Sequence, residues 1–306
     1  MSPYERRETM VIVNPVAHNL PSTRRLDEAK RALQAAGWEA EWRETGGPGE
    51  ATELAREAAA RGLPLLFACG GDGTLNEAAN GLAGSETALA PIRGGTVNIW
   101  AREMGFSRKP AEAVRQAIEG ERRKMDLGRA GERYFLLMAG YGLDGAIARR
   151  ASMRLKGRFG ATAYAIAAVR EVLRYRSSPV TLRLDGEERA TNLLMLVAGN
   201  TRNYAGLTQV TRDAVADDGL LDVCLYEGRG TRDCLLHALR TLLRRHQRSK
   251  KVLYRQVKRL ELSWETPLPA QLDGDAFAES PATVDVAPSA LWVAVPRGLR
   301  SPLFRK

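Results

Sequence analysis

Leu65-Leu66-Phe67-Ala68-Cys69-Gly70-Gly71-Asp72-Gly73-Thr74-Leu75 is the stretch that decides the fold. Leu65–Cys69 is apolar throughout and too short for a helix, so it reads as a strand buried on both faces. Three glycines in four residues follow, and Leu75, Ala78, Ala79 and Leu82 then recur at helical spacing. A strand, a glycine turn and a helix in this order cradle phosphate, because glycine lets the backbone approach an anion and a helix N-terminus presents N–H groups without partners. A carboxylate inside such a loop repels phosphate unless it holds a cation or polarises a hydroxyl, and Asp72 is read in those roles. The simpler alternative is a tight turn with Asp72 as its helix cap. The Walker A pattern is absent, which excludes a P-loop enzyme.

Outward from this stretch, strand and helix signals alternate. Met10–Val13 is an apolar run ending at Asn14-Pro15, and Leu26, Ala29, Leu33 and Ala36 follow at helical spacing. Trp38, Ala40 and Trp42 alternate as in a half-buried strand, and Ala51, Leu54, Ala55, Ala58 and Ala59 mark a second helix. Beyond Leu82, Ala88–Ile92 reads as a strand, Ile99–Met104 as a short helical segment, and Ala111, Val114 and Ile118 as one helix face. This rhythm predicts a parallel sheet with helices on both faces. The segment Pro91-Ile92-Arg93-Gly94-Gly95-Thr96-Val97-Asn98 is a second glycine-threonine loop at a strand end. Two such loops side by side form a cleft outside the carboxyl ends of the strands, where ligands bind in these folds.

The pattern changes after Asp126. Tyr134–Ala139, Val180–Leu184, Asn192–Ala198, Leu220–Tyr226, Leu260–Trp264, Thr283–Val286 and Leu291–Val295 read as strands, interrupted by helical stretches at Phe159–Arg174 and Thr231–His246. The expectation is a β-rich second domain, a sandwich, with a boundary near Leu127. The stretch Gly140-Tyr141-Gly142-Leu143-Asp144-Gly145 fits the dinucleotide fingerprint GxGxxG, yet no acidic residue follows before Glu171, and that lies in a helical stretch. It is read as strand-end glycines, which disfavours a Rossmann oxidoreductase.

The 306 residues suffice for two domains, and 44% hydrophobic content is ample for their cores. Lys and Arg exceed Asp and Glu by 46 to 36, a balance that favours anionic partners. Cys69, Cys224 and Cys234 lack metal-ligand spacing and imply a reduced, cytoplasmic protein. MSPYERRETM has no apolar core, so no signal peptide is expected, and no apolar run approaches the ~20 residues that span a bilayer. Any membrane contact is expected to be peripheral. Arg240 to Arg259 holds nine basic residues and no acidic one, and Arg149, Arg150, Arg154, Lys156 and Arg158 form a second cluster. Either could dock on anionic lipid, or simply be a solvated helix face. Nucleic acid is disfavoured as a partner because Tyr254 is the only aromatic residue in the longer stretch. His18, near the first loop, could touch phosphate but is read as an exposed loop residue, and His237 and His246 as members of an amphipathic helix face.

GGDGTLNEAANGLAG (Gly70–Gly84) resembles the signature of the diacylglycerol kinase catalytic domain, shared by bacterial lipid kinases and sphingosine kinases. Six further segments resemble that family in order: Asn14-Pro15, PIRGGTVNIWARE, Asp126-Leu127-Gly128, LKGRFGATAY (Leu155–Tyr164), AGNTRNYAG with ADDGLLDV, and LDGDAFAESP (Leu272–Pro281). The resemblance implies an α/β nucleotide domain like those of NAD kinase and phosphofructokinase (residues 1–127 with 288–306) and a C-terminal β-sandwich (residues 128–287). It implies an ATP-dependent lipid kinase that uses Mg²⁺, acts on a lipid hydroxyl at an anionic membrane surface, and forms a homodimer. Asp72, Asp126 and Asp275 would form the catalytic acidic cluster, with Asp275 as general base. Asn14, Pro15, Gly70, Gly71, Gly73, Thr74, Gly95, Thr96 and Asn98 would bind nucleotide. Asp217, Asp218 and the Leu220 carbonyl would bind a structural Mg²⁺. The chain departs from the family pattern at His18-Asn19, at Ile99, and at Asp275, where the family has glutamate. The alternatives are an NAD kinase-like enzyme, which shares GGDGT, and a non-catalytic nucleotide- or lipid-binding module.

Overall fold

Three short apolar strands and a more polar edge strand order the first part of the chain. The computed structural model describes residues 4–154, 170–277, 279–299 and 301–305. It divides into two units, Met1–Leu127 with Ala216–Asp218 and Pro288–Lys306, and Gly128–Val215 with Gly219–Ala287.

In the first unit the elements run β1 (Glu8–Val13), α1 (Thr23–Ala35), β2 (Glu39–Glu44), α2 (Glu50–Ala60), β3 (Leu65–Gly70), α3 (Asp72–Leu82), β4 (Ala88–Arg93), α4 (Ile99–Glu103), α5 (Pro110–Ile118) and β5 (Glu121–Ala130). The strands pair in parallel in the order β2-β1-β3-β4, and a returning segment adds beyond β4 with Val293 opposite Leu89. β3 is buried along its whole length, as its unbroken apolar run requires. Right-handed crossovers in this strand order place α1 on one face and α2 and α3 on the other. The packing agrees, α2 lying against α3 and α1 against α5. The register sets Val13 opposite Cys69 and Gly70 opposite Arg93, so the loops leaving β1, β3 and β4 emerge side by side. One boundary differs from expectation: α3 opens at Asp72, not Leu75, so Asp72 stands in its first turn.

The second unit continues with β6 (Arg133–Phe135), β7 (Met138–Gly142), α6 (Leu143–Arg154), β8 (Ser178–Leu184), β9 (Glu187–Gly199), β10 (Asn203–Tyr204), β11 (Thr208–Gln209), β12 (Leu221–Glu227), α7 (Thr231–Leu242), β13 (Val252–Val257), β14 (Arg259–Trp264), β15 (Ala270–Leu272), β16 (Asp275–Ala276) and β17 (Thr283–Val295). Antiparallel pairing gives the order β16-β15-β7-β9-β8-β14-β17, with β12 also on β9 and β13 on β12. Alternate residues such as Leu182, Leu196, Val223, Leu260 and Val284 point inward to one sandwich core. The expected strand Tyr134–Ala139 is two strands, because the Asp273 carboxylate accepts the N–H groups of Leu136, Leu137 and Met138 and turns the chain between them. The two strands expected at 283–286 and 291–295 are one continuous strand, β17. The basic stretch Arg240 to Arg259, for which a solvated helix face was one alternative, holds the strand β13. Of the helix expected over Phe159–Arg174, residues 170–174 are helical, and the remainder, with LKGRFGATAY, lies outside the described residues.

Candidate active site

β3 ends where a side chain no longer fits. A Cβ on Gly70 would lie 2.4 Å from Thr74 Oγ1. Leu75 is the first residue of α3 whose N–H reaches back to Gly71, at 3.1 Å. The N–H groups of the preceding turn therefore lack intrahelical acceptors, and with the helix dipole they form an anion-seeking end. Gly73 is exposed, with nothing within 4 Å of where a Cβ would stand, so approach to that turn is open. Thr74 is buried, and its hydroxyl accepts a hydrogen bond from Asn14 Nδ2 (3.0 Å). Asn14 is thereby a strut beneath the loop, and Pro15 is exposed beside it.

The second loop folds against the first. Gly94 N–H and Asn98 Nδ2 both donate to the Gly70 carbonyl, at 2.8 and 2.9 Å, and Gly95 N–H donates to Asn98 Oδ1 at 3.0 Å. A Cβ on Gly95 would fall 2.5 Å from the Gly71 α-carbon, so the contact requires glycine. Asp72 answers from the other side: Oδ2 accepts the Ile99 N–H (3.0 Å) and Oδ1 the Trp100 N–H (3.2 Å), capping α4. Each loop thus supplies bonds the other needs. Asn98 is buried in the left-handed region (φ 51°), which Asn tolerates better than most residues. Thr96 is exposed and Gly95 half-buried.

Burial pushes the Asp72 carboxyl above its ordinary range, opposed by the two N–H bonds and by Arg93 and Arg102. Beside Gly95 and Asn98 opens a cavity of about 570 Å³ lined by Asn19, Ser22, Arg25, Arg93, Thr96 and Arg108. Burial and the like charges of Arg108 and Arg102 lower the pKa of Arg93. Three guanidinium groups around a polar cavity, next to a glycine-lined helix end, suit a polyphosphate. The reading of the sequence gave no role to Arg25, Arg93 or Arg108. Arg93 stood in the quoted PIRGG segment, and a basic residue at a strand end before two glycines was the available signal.

The remaining predicted residues are more scattered. Asp126 is buried; its N–H donates to the Ala216 carbonyl (2.7 Å) and its Oδ1 accepts the Ser289 N–H (2.6 Å). Asp217 Oδ1 accepts the Arg305 N–H (2.8 Å), and the Asp218 carbonyl accepts from the Arg305 guanidinium (3.5 Å). Leu220 precedes β12 in the second unit. Among the described residues no group of three or more His, Cys, Asp or Glu side chains is placed to hold a metal ion. Cys69, Cys224 and Cys234 are buried free thiols. His18 is exposed. His237 lies on the buried face of α7, as expected, whereas His246 is buried beyond the end of that helix; their Nε2 atoms bond the Glu227 and Val210 carbonyls at 2.8 and 3.0 Å. Arg150 is paired with Glu171, while Lys156 and Arg158 lie outside the described residues.

In the second unit Asp275 is exposed, opposite Leu272 at the β15–β16 turn. The turn is held by groups that motif reading passed over. Asp273 binds the three N–H groups named above, and Gly274 has φ 97°. Asp144, inside the GxGxxG stretch, is buried and accepts bonds from the Tyr204 hydroxyl and from Gln271 Nε2 (2.7 Å). Gln271 Oε1 in turn accepts the Gly274 N–H (2.6 Å). The glycines of that stretch serve packing: a Cβ on Gly145 would lie 2.3 Å from Pro269.

A second cavity of about 260 Å³ lies between α6, β9 and α7. Leu143, Ile147, Leu194, Tyr204, Cys234 and Ala238 are among its walls, which are almost wholly apolar. Such a space suits a hydrocarbon chain.

Residues 8–130 match the diacylglycerol kinase catalytic domain, and residues 138–295 match the YegS C-terminal NAD kinase beta sandwich-like domain. The chain is 32% identical over 295 residues to the "Probable lipid kinase YegS-like" of Chromohalobacter salexigens, covering 95% of this chain and 94% of that one. It is 30% identical over 281 residues to a diacylglycerol kinase of Staphylococcus aureus, covering 90% and 89%. It is 26% identical over 272 residues to a diacylglycerol kinase of Bacillus subtilis, covering 88% and 90%. The crystal structure of a diacylglycerol kinase from Bacillus anthracis shares the fold, with a TM-score of 0.75 at 22% identity over 95% of this chain and 98% of that one.

Proposed function

This chain belongs to the diacylglycerol kinase catalytic-domain family of lipid kinases, and on that premise we propose that it transfers the γ-phosphoryl group of ATP to a lipid hydroxyl at a membrane surface. The observation that carries the proposal is the interlocked pair of glycine loops, tied from Gly94 and Asn98 to Gly70, beside a cavity rimmed by Arg25, Arg93 and Arg108. The first-turn N–H groups of α3 and these guanidinium groups bind the polyphosphate, and Gly73 leaves that turn open.

Asp72 has the donor chemistry for Mg²⁺, since each carboxylate oxygen accepts one backbone N–H and keeps a further lone pair. When bound, Mg²⁺ would neutralise charge on the transferring phosphates. Asp275 takes the role the resemblance gives it and accepts the proton of the lipid hydroxyl. Asp217, Asp218 and the Leu220 carbonyl offer the hard oxygen set that suits a structural Mg²⁺. Positioning and charge stabilisation supply most of the catalysis, because the transition state asks little covalent help. The apolar cavity of the second unit takes part of the acceptor's hydrocarbon. No helix among the described residues is long and apolar enough to cross a membrane. The resemblance to the family supports the rest of the reading, a homodimer that works from the cytoplasm and associates peripherally with the membrane.

The test is incubation of the purified protein with labelled ATP, with and without Mg²⁺, and a panel of diacylglycerol, phosphatidylglycerol, sphingosine and undecaprenol. Label should appear in at least one lipid and vanish with chelator. Label in NAD⁺ but in no lipid, or ATP binding without turnover, would overturn the reading.

A further inference from the structure

The helix α7 buries one face and leaves a second, apolar face exposed. Cys234, His237 and Thr241 turn inward and are buried. Leu235, Leu236, Leu239 and Leu242, with Leu243 just beyond, recur at helical spacing on the other side and are exposed by 39–65%. Eight large hydrophobic residues are strongly exposed among the described residues, and seven belong to α7 or to segments joined to it. The other two of the seven are Leu207 and Leu173. Leu207, 80% exposed, stands in the β10–β11 hairpin, whose Thr208 hydroxyl donates to the Thr241 carbonyl (2.8 Å). Leu173 is held to α7 through its carbonyl, which accepts from the Thr231 hydroxyl (2.9 Å). Scattered single leucines on a surface need no explanation, but a contiguous set of this size marks an interaction site.

Two further observations identify the occupant. The patch is bordered by Arg232, Arg244, Arg245, Arg248 and Lys250, none of which has a carboxylate partner among the ion pairs of the described residues. Leucines edged by unpaired cations suit the headgroup boundary of an anionic bilayer, where apolar side chains enter the acyl region and guanidinium groups meet phosphates. Leu207 and Leu242 are shared between the patch and the wall of the apolar cavity, so the cavity opens onto the same surface.

We propose that the outer face of α7, with Leu207 and Leu173, is the membrane-docking surface of this protein, inserting its leucines at the headgroup boundary of an anionic bilayer with the mouth of the apolar cavity toward the lipid. The proposal rests on the lipid-kinase reading for the use of the cavity, but the surface is testable without it. A lipid acceptor then passes from the bilayer into the cavity without crossing water.

The experiment compares the full chain with Leu235→Ser/Leu239→Ser and with Arg244→Gln/Arg245→Gln/Arg248→Gln. It uses sedimentation with vesicles of phosphatidylcholine alone or mixed equally with phosphatidylglycerol, and turnover on dispersed dihexanoylglycerol. The leucine variant should lose vesicle binding by at least about tenfold while keeping its melting temperature and its turnover on the dispersed substrate. The arginine variant should lose the preference for the anionic mixture, and added salt should mimic it. Unchanged vesicle binding in both variants would overturn the proposal. So would a shift from dimer to monomer in the leucine variant with vesicle binding intact, which would make the patch an interface between copies. Normal docking without turnover on any lipid would sink the kinase reading and leave the docking surface standing.

Discussion

The side-chain amide of Asn98 donates to the Gly70 carbonyl at 2.9 Å, and its oxygen accepts the Gly95 N–H at 3.0 Å. One buried residue thereby fixes the spacing of the two loops. Asn98→Ala should leave the Gly95 N–H unpaired and place alanine at positive φ, costing about 2 kcal/mol of stability by urea unfolding. The KM for ATP should rise more than the KM for lipid. An unchanged ATP KM would mean the loops keep their spacing without this strut.

Asp72 serves both the proposed metal and the cap of α4, so the choice of substitution matters. Asp72→Asn keeps one acceptor oxygen and should cost about 1 kcal/mol of stability while lowering turnover at least about 100-fold. Asp72→Ala loses both caps and should also melt earlier. Turnover near the wild-type level in Asp72→Asn would remove this carboxylate from the mechanism.

Asp275 tests the base assignment. Asp275→Asn should lower kcat by about 10²–10⁴ with the ATP KM unchanged, and Asp275→Glu, the residue of the family pattern, should retain activity. Equal activity of the Asn variant and the wild type would assign the proton to another group.

Ala238 is exposed at the edge of the apolar cavity, where a larger side chain can enter without disturbing the sandwich core. Ala238→Phe should raise the KM for long-chain lipid at least about fivefold and leave the ATP KM alone. A parallel rise in both constants would point to a general loss of fold.

His246 is fully buried, and His237 nearly so. Burial lowers both pKa values below the ordinary imidazole range, opposed by their bonds to the Val210 and Glu227 carbonyls. The unfolded chain then binds protons before the folded one does as pH falls. Stability should hold above about pH 6.5 and decline as pH falls from there through the lowered folded values. His246→Gln should flatten that decline in melting temperature between pH 7.5 and 5.5. An identical slope would assign it to other groups.

Much of the fold was legible because its signals are local. Leu65–Cys69 could only be a buried strand, and the period of Leu75, Ala78, Ala79 and Leu82 could only be a helix face. Gly70 and Gly95 were legible because their contacts admit no side chain, as Gly95 against Gly71 shows. The struts were not. Asp273 reaches the N–H groups of residues 136–138, and Gln271 joins Asp144 to Gly274. Such long-range bonds leave no spacing to detect. The outer leucines of α7 were hidden for a different reason: leucines at helical spacing look like a buried face until their surroundings are known.

The segment bearing Val293 lies against β4, yet it follows the whole sandwich in the chain. As the polypeptide emerges from the ribosome, β1 to β4 can pair while the outer edge of β4 waits bare until residues 128–287 have been synthesised. A naked parallel edge is a template for other strands, so nascent molecules in this interval are the ones most exposed to misassembly. The late segment is thus a closing stitch, and quality control in the cell would meet this protein most often just before it is sewn.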